Sequence, residues 1–119
     1  MQVFYCRCIE HKDAIENLDE IIKNPYIDGY IFGPNDLSGS YHMLRDVFSE
    51  KITNIIETAI KCLHENDKYV GIASGGYSEE VLAHWSRLGA DMFFAGADFD
   101  FVRDGALKNR INLEKIHKR

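Results

Sequence analysis

Four short apolar runs, each followed by apolar residues at helical spacing, set the limits on what this chain can fold into. The runs cover residues 2–9, 27–32, 69–73 and 92–95, and are nearly continuous rather than alternating with polar residues. That is the pattern of a strand buried on both faces. The helical stripes follow in turn. Ile15, Leu18, Ile21 and Ile22 form the first, stopped by Asn24-Pro25, and Phe48, Ile52, Ile55, Ile56, Ala59 and Leu63 form the second. Ser78 is suited to N-cap the third, with Glu79 and Glu80 in its first turn, Val81, Leu82, Trp85 and Leu88 facing inward, and Gly89 ending it. The last helix begins near Asp98 or Asp100, with Asp98 reading as its cap, and carries Phe101, Val102 and Ala106. An amphipathic tail with Ile111, Leu113 and Ile116 follows. All of these stripes read as core faces.

Strand and helix alternating over the whole length predict an α/β fold of four parallel βα units joined by right-handed crossovers. A small open sheet and part of a closed barrel both satisfy that pattern. With 119 residues and no linker or low-complexity stretch, residues 1–119 read as one domain.

Charge and cysteine usage remove several classes of function. A formal net charge of -5 speaks against nucleic-acid binding, and the basic end (Lys108, Arg110, Lys115, Lys118 and Arg119) reads as a solvated helix face. Three cysteines, two of them alternating at Cys6 and Cys8, form no disulfide framework, so a reducing, cytoplasmic setting is expected. Cys8-Ile9-Glu10-His11 lacks the second pair of soft ligands that a zinc site needs. No apolar run approaches the ~20 residues of a membrane helix, and the chain opens into a strand rather than a signal peptide.

In either architecture, chemistry gathers at the carboxyl ends of the strands. Those ends read Glu10-His11, Gly33-Pro34-Asn35-Asp36, Ser74-Gly75-Gly76 and Gly96-Ala97-Asp98. Glu10 and Asp36 end neighbouring strands, so their carboxylates can meet. Two carboxylates with few nitrogen or sulfur partners suit a hard ion, Mg2+ or Mn2+, completed by water and substrate oxygens. Ordinary loop acids or helix caps are the other reading. Gly75-Gly76 ahead of Ser78 reads as a plain turn in preference to a phosphate cradle.

Gly33-Pro34-Asn35-Asp36-Leu37-Ser38, with Ile9-Glu10 on the preceding strand and Ile27-Asp28-Gly29-Tyr30-Ile31-Phe32 leading in, resembles the HpcH/HpaI family of class II 2-oxo-acid aldolases. Leu88-Gly89-Ala90-Asp91 and Gly96-Ala97-Asp98 add weaker support, and the resemblance runs from about Cys8 to Ala106. It implies the C-terminal half of a TIM (βα)8 barrel. By position it implies Glu10 and Asp36 as metal ligands and the backbone around Asn35 and Asp36 as the seat of a pyruvate-type carboxylate. The metal would polarise the 2-oxo acid, with no Schiff-base lysine needed. The family's arginine and its histidine-centred base lie on the first four units, so no catalytic residue is assigned here. His42 and Arg45 read as surface-loop residues. Cys8 stands where the family has an amide side chain.

The expected function is therefore a metal-dependent carbon–carbon lyase that cleaves or forms 4-hydroxy-2-oxo acids. Its partners would be a small 2-oxo acid, an aldehyde, and either further copies of the chain or a complementary N-terminal half-barrel. Neither nucleic acid nor membrane is expected. The alternatives are a citryl- or malyl-CoA-type lyase and a non-catalytic half-barrel acting as a binding or assembly module.

Overall fold

The computed structural model describes residues 3–117. Its strands, β1 (Cys6–Ile9), β2 (Gly29–Phe32), β3 (Tyr69–Ala73) and β4 (Met92–Phe94), form one sheet in the order β1-β2-β3-β4. Every pairing is parallel, with Ile9 opposite Phe32, Phe32 opposite Ile72 and Ile72 opposite Phe93. Sequential order with parallel pairing is the arrangement of half a βα barrel.

The sheet has two unlike faces because side chains alternate along each strand. Ile9, Tyr30, Phe32, Val70 and Ile72 are buried on the outer face, under the helices. They meet Ile52, Ile56, Ile60 and Leu63 of α4 (Glu50–Glu65), together with Trp85 of α5 (Glu79–Arg87). The Tyr30 hydroxyl is satisfied there, donating to the Ile21 carbonyl at 2.7 Å. On the inner face Cys8 is exposed and Phe94 retains 54% of its surface. Gly71 forms a hollow on that face, where an added Cβ would lie 3.1 Å from both Ile31 Cγ1 and Met92 Cγ, and 3.5 Å from Phe94 Cε2.

The structure corrects several expectations. The strands are fully buried on one face only, since on the inner face Cys8, Tyr69 and Phe94 are exposed and Ile31, Ala73 and Met92 are only partly covered. The first strand starts at Cys6; the Tyr5 carbonyl accepts from Asp28 N and Gly29 N and its N–H donates to Asp28 Oδ2 at 2.8 Å, and Gln2 lies outside the described residues. The first stripe is split at Asn17 into α1 (Lys12–Glu16) and α2 (Leu18–Ile21), where the Asn17 amide turns back to the Asp13 carbonyl at 2.7 Å. Residues 34–40 are a helix, α3 (Pro34–Ser40), rather than a bare turn, because proline at the first helical position is pre-set for it. Ser78 does cap α5, accepting from Val81 N at 3.3 Å, and Gly89 ends it with φ +102°.

The last helix departs most. It is one continuous α6 (Asp98–Ile116) with no buried residue, so Phe101, Val102 and Ala106 are not core. The radius of gyration, 17.8 Å, exceeds the ~13.5 Å of a compact chain this long, in keeping with a helix that leaves the body.

Candidate functional site

Glu10, Asn35, Asp36, Gly75 and Asp100 line one depression at the carboxyl ends of the strands. Parallel register places Glu10 there. Gly33 N donates to the Ile9 carbonyl at 3.2 Å, so the residue after Ile9 lies beside Gly33. A Cβ on Gly33 would lie 2.8 Å from Glu10 Cγ, which shows the Glu10 side chain lying across the end of β2 toward α3. Asp36 is in the first turn of α3, where a carboxylate is favoured by the helix dipole.

The start of α3 leaves donors free. Gly33 is its N-cap and has no side chain to cap with, Pro34 has no N–H, and the first intrahelical bond runs from Leu37 N to the Gly33 carbonyl at 2.9 Å. The N–H groups of Asn35 and Asp36 therefore have no partner within the helix. Behind them the turn is fixed, since buried Ser38 donates to the Asn35 carbonyl at 2.8 Å and Ser40 Oγ accepts from Lys12 N at 2.9 Å.

Other candidates fall away from the mouth. His11 is spent as the N-cap of α1, its Nδ1 accepting from Asp13 N at 3.2 Å. Burial and then the negative charge of Glu10 push the Cys8 thiol up, which favours its neutral form. His42 and Arg45 are exposed in the turns after α3, both with positive φ, and neither lines the mouth. Among the described residues no group of three or more His, Cys, Asp and Glu side chains converges. An ion here would rest on Glu10 and Asp36 alone, with its other ligands from water or substrate. That open oxygen set fits Mg2+ or Mn2+ and does not fit zinc.

The β4 side of the mouth holds what sequence reasoning missed. Asp100, not Asp98, supports the helix start: Asp100 Oδ2 accepts from Ala97 N at 3.2 Å, while Asp98 Oδ1 accepts only from the adjoining Phe99 N at 2.8 Å. Arg103 pairs with Asp100 at 3.0 Å and with Asp104 at 2.9 Å. Tyr77 donates a short hydrogen bond to Asp104, and its ring lies 5.0 Å from that of Phe101. The bonds from Tyr77 and then Arg103 hold the Asp104 carboxyl below its usual range. The signal available in sequence was an Asp three residues after Ala97, the acidic N3 of a helix start.

A 2-keto-3-deoxy-L-rhamnonate aldolase of Escherichia coli is 33% identical over 112 residues, spanning 92% of this chain and 40% of that protein. An HpcH/HpaI aldolase/citrate lyase family protein from Burkholderia cenocepacia superposes with a TM-score of 0.85 at 18% identity, over 95% of this chain and 43% of that one. By sequence and by fold, the chain resembles one half of an HpcH/HpaI-family barrel. An HpcH/HpaI aldolase from Desulfitobacterium hafniense (TM-score 0.82, 21% identity) and the citrate synthase SbnG (0.83, 16%) also superpose on the chain, with 44% and 47% of their chains covered. The chain thus spans about two-fifths to half the length of the relatives it matches. No family profile matches it.

Proposed function

We propose that this half-barrel holds the metal of a class II aldolase that cleaves or forms a 4-hydroxy-2-oxo acid, with a pyruvate-type 2-oxo acid as product or donor. The observation that carries the reading is the pairing at the mouth: Glu10 and Asp36 converge on the same depression as the two unbonded N–H groups of α3. Glu10 and Asp36 hold the ion, Mg2+ or Mn2+, which when bound supplies positive charge to the oxygens of the 2-oxo acid. The N–H groups of Asn35 and Asp36 receive its carboxylate. In cleavage the C3–C4 bond breaks, the 4-hydroxyl proton passes to a base, and the electron pair moves into the 2-oxo acid, which then takes a proton at C3.

No residue of this chain is assigned as that base, or as the cation beside the keto oxygen. A complementary half-barrel or further copies of the chain would provide both. An acyl-CoA substrate fits less well, because a nucleotide needs a basic rim, no Lys or Arg lines the mouth, and nearby Arg103 is already held by two carboxylates.

Calorimetric titration of Mg2+ and Mn2+ into the chain and into Glu10→Gln and Asp36→Asn tests the reading. Both variants should lose most of the affinity; unchanged binding in both would refute it. Metal-dependent exchange of the pyruvate methyl protons for deuterium reads the same site through the substrate.

A further inference from the structure

The inner face of β1 carries two side chains that the mouth does not use. Cys6 and Cys8 are free thiols two residues apart on one strand, so both leave the same side of the sheet. Ile9, of the other parity, is buried beneath the helices, which puts the two sulfurs on the inner face. Cys6 stands opposite Gly29, and a Cβ on Gly29 would lie 3.3 Å from Cys6 Sγ, so the glycine leaves that sulfur its space. Cys8, opposite Ile31, is exposed. β1 is also an edge of the sheet, so among the described residues no strand covers the far side of the pair.

Spacing limits what two such thiols can join. Residues two apart on a strand stand about 6.6 Å from each other with their side chains parallel. A disulfide needs Cβ atoms within about 4.5 Å, so the pair cannot close on itself without bending the strand. Two thiolate–metal bonds of about 2.3 Å laid end to end span roughly 4.6 Å between sulfurs, which side chains at this spacing reach by leaning together. Among the described residues no third His, Cys, Asp or Glu side chain converges with them. Two sulfurs alone do not make the four-coordinate arrangement of zinc. They suit a soft ion content with two ligands, and Cu(I) is the first-row ion that thiolates select. Glu10, the next residue of the same parity, already lines the mouth. Along one strand the ligands thus change from sulfur to oxygen, and softness sorts the ions between them.

We infer that Cys6 and Cys8 form a two-coordinate site for Cu(I) on the inner face of β1, separate from the oxygen site at the mouth. Binding exchanges two thiol protons, released to solvent, for two S–Cu bonds. Neither copper nor sulfur changes oxidation state.

The test titrates Cu(I), without oxygen and buffered by bicinchoninate, into the full chain with Mg2+ present. One ion per chain should bind. Cys6→Ser and Cys8→Ser should each lower the affinity by more than the ~10–100-fold that follows loss of a group supporting a metal ligand. Cys62→Ser and Asp36→Asn should leave it unchanged. Arg7 is exposed, so Arg7→Cys combined with Cys8→Ser keeps two thiols on β1 but turns one to the other face; it should bind as poorly as Cys8→Ser. X-ray absorption of the loaded, unsubstituted chain should show two sulfur neighbours and no nitrogen or oxygen, a readout that needs no variant to fold. Retained affinity in Cys6→Ser, in Cys8→Ser or in the double variant would overturn the inference. So would an equal loss in Cys62→Ser, a third neighbour on the copper, or one ion shared by two chains. Loss of Mg2+ binding in Asp36→Asn bears on the mouth alone.

Discussion

Glu10 occupies the space that a side chain at Gly33 would need: a Cβ there would lie 2.8 Å from Glu10 Cγ and 3.0 Å from its Oε1. The backbone at Gly33 (φ -101°, ψ 88°) is open to alanine, so the conflict lies between side chains and not in the chain path. Gly33→Ala should therefore keep its fold, with a stability change within about 1 kcal/mol, while the Glu10 carboxylate is turned aside. Displacement of that size at a metal ligand should lower Mn2+ affinity roughly tenfold. Thermal melting read beside calorimetry separates the two effects; undiminished affinity would show that Glu10 is not a ligand.

His84 should make stability depend on pH. Its Nε2 is buried without a hydrogen-bond partner among the described residues, and the Phe48 ring packs edge-on against it at 5.1 Å. Burial, and secondarily Arg87, pull its imidazole below the ordinary value. Above about pH 6.5 both folded and unfolded chains carry it neutral, and stability is complete. As pH falls below that value the unfolded chain gains a proton that the folded chain refuses, so stability declines until the folded pKa is passed. Urea denaturation across pH 7.5 to 5.5 should show this decline, and His84→Gln should reduce its slope.

Gly96 is the most restrictive glycine near the mouth. Its φ is +76°, and a Cβ would lie 2.8 Å from both Phe101 Cζ and Tyr77 Cδ1. Gly96→Ala should cost about 2 kcal/mol or more, from backbone strain together with separation of the two rings. Equilibrium unfolding measures the loss, and near-ultraviolet circular dichroism should report the changed Tyr77–Phe101 packing.

The sheet leaves β1 and β4 paired on one side each. Its inner face and α6 expose Phe94, Phe99, Val102, Ile111 and Ile116. Open strand edges beside apolar surface favour association. Sedimentation at micromolar concentration should show dimers or larger species, or a complex when a complementary half-barrel is added. A stable monomer in both conditions would count against this.

The parts of the fold legible in the sequence were those where one residue pattern has one physical outcome. Ser78 followed by Glu79 and Glu80 could be read as a helix start because a hydroxyl cap and early acids act within a single turn. The run Tyr69–Ala73 was read with the bounds it has, since it is the apolar stretch between polar Lys68 and Ser74. That the inner face of the sheet is left partly open was not legible, because Cys8, Ile31 and Met92 have the composition of a core whether or not anything covers them. The same holds for α6: Phe101 and Val102 look like a core stripe, and only the position of the helix shows that they are exposed. At the mouth, Glu10 stood out because it directly follows an apolar run, and Asp36 because it ends the Gly33-Pro34-Asn35-Asp36 stretch after the next one. Asp100 could be read as a helix start, but its place at the mouth and its pairing with Arg103 were missed because both depend on where α6 starts.

The hollow at Gly71 has a consequence for genetics. Ile31, Met92 and Phe94 lean over bare backbone there, so substituting Gly71 would first alter the relief of the inner face. Any chain that closes against that relief would register the change as a misfit of its own side chains. A screen for second mutations that restore a Gly71→Ala protein should therefore recover them in the closing surface, and their positions would map that surface without a structure of the complex.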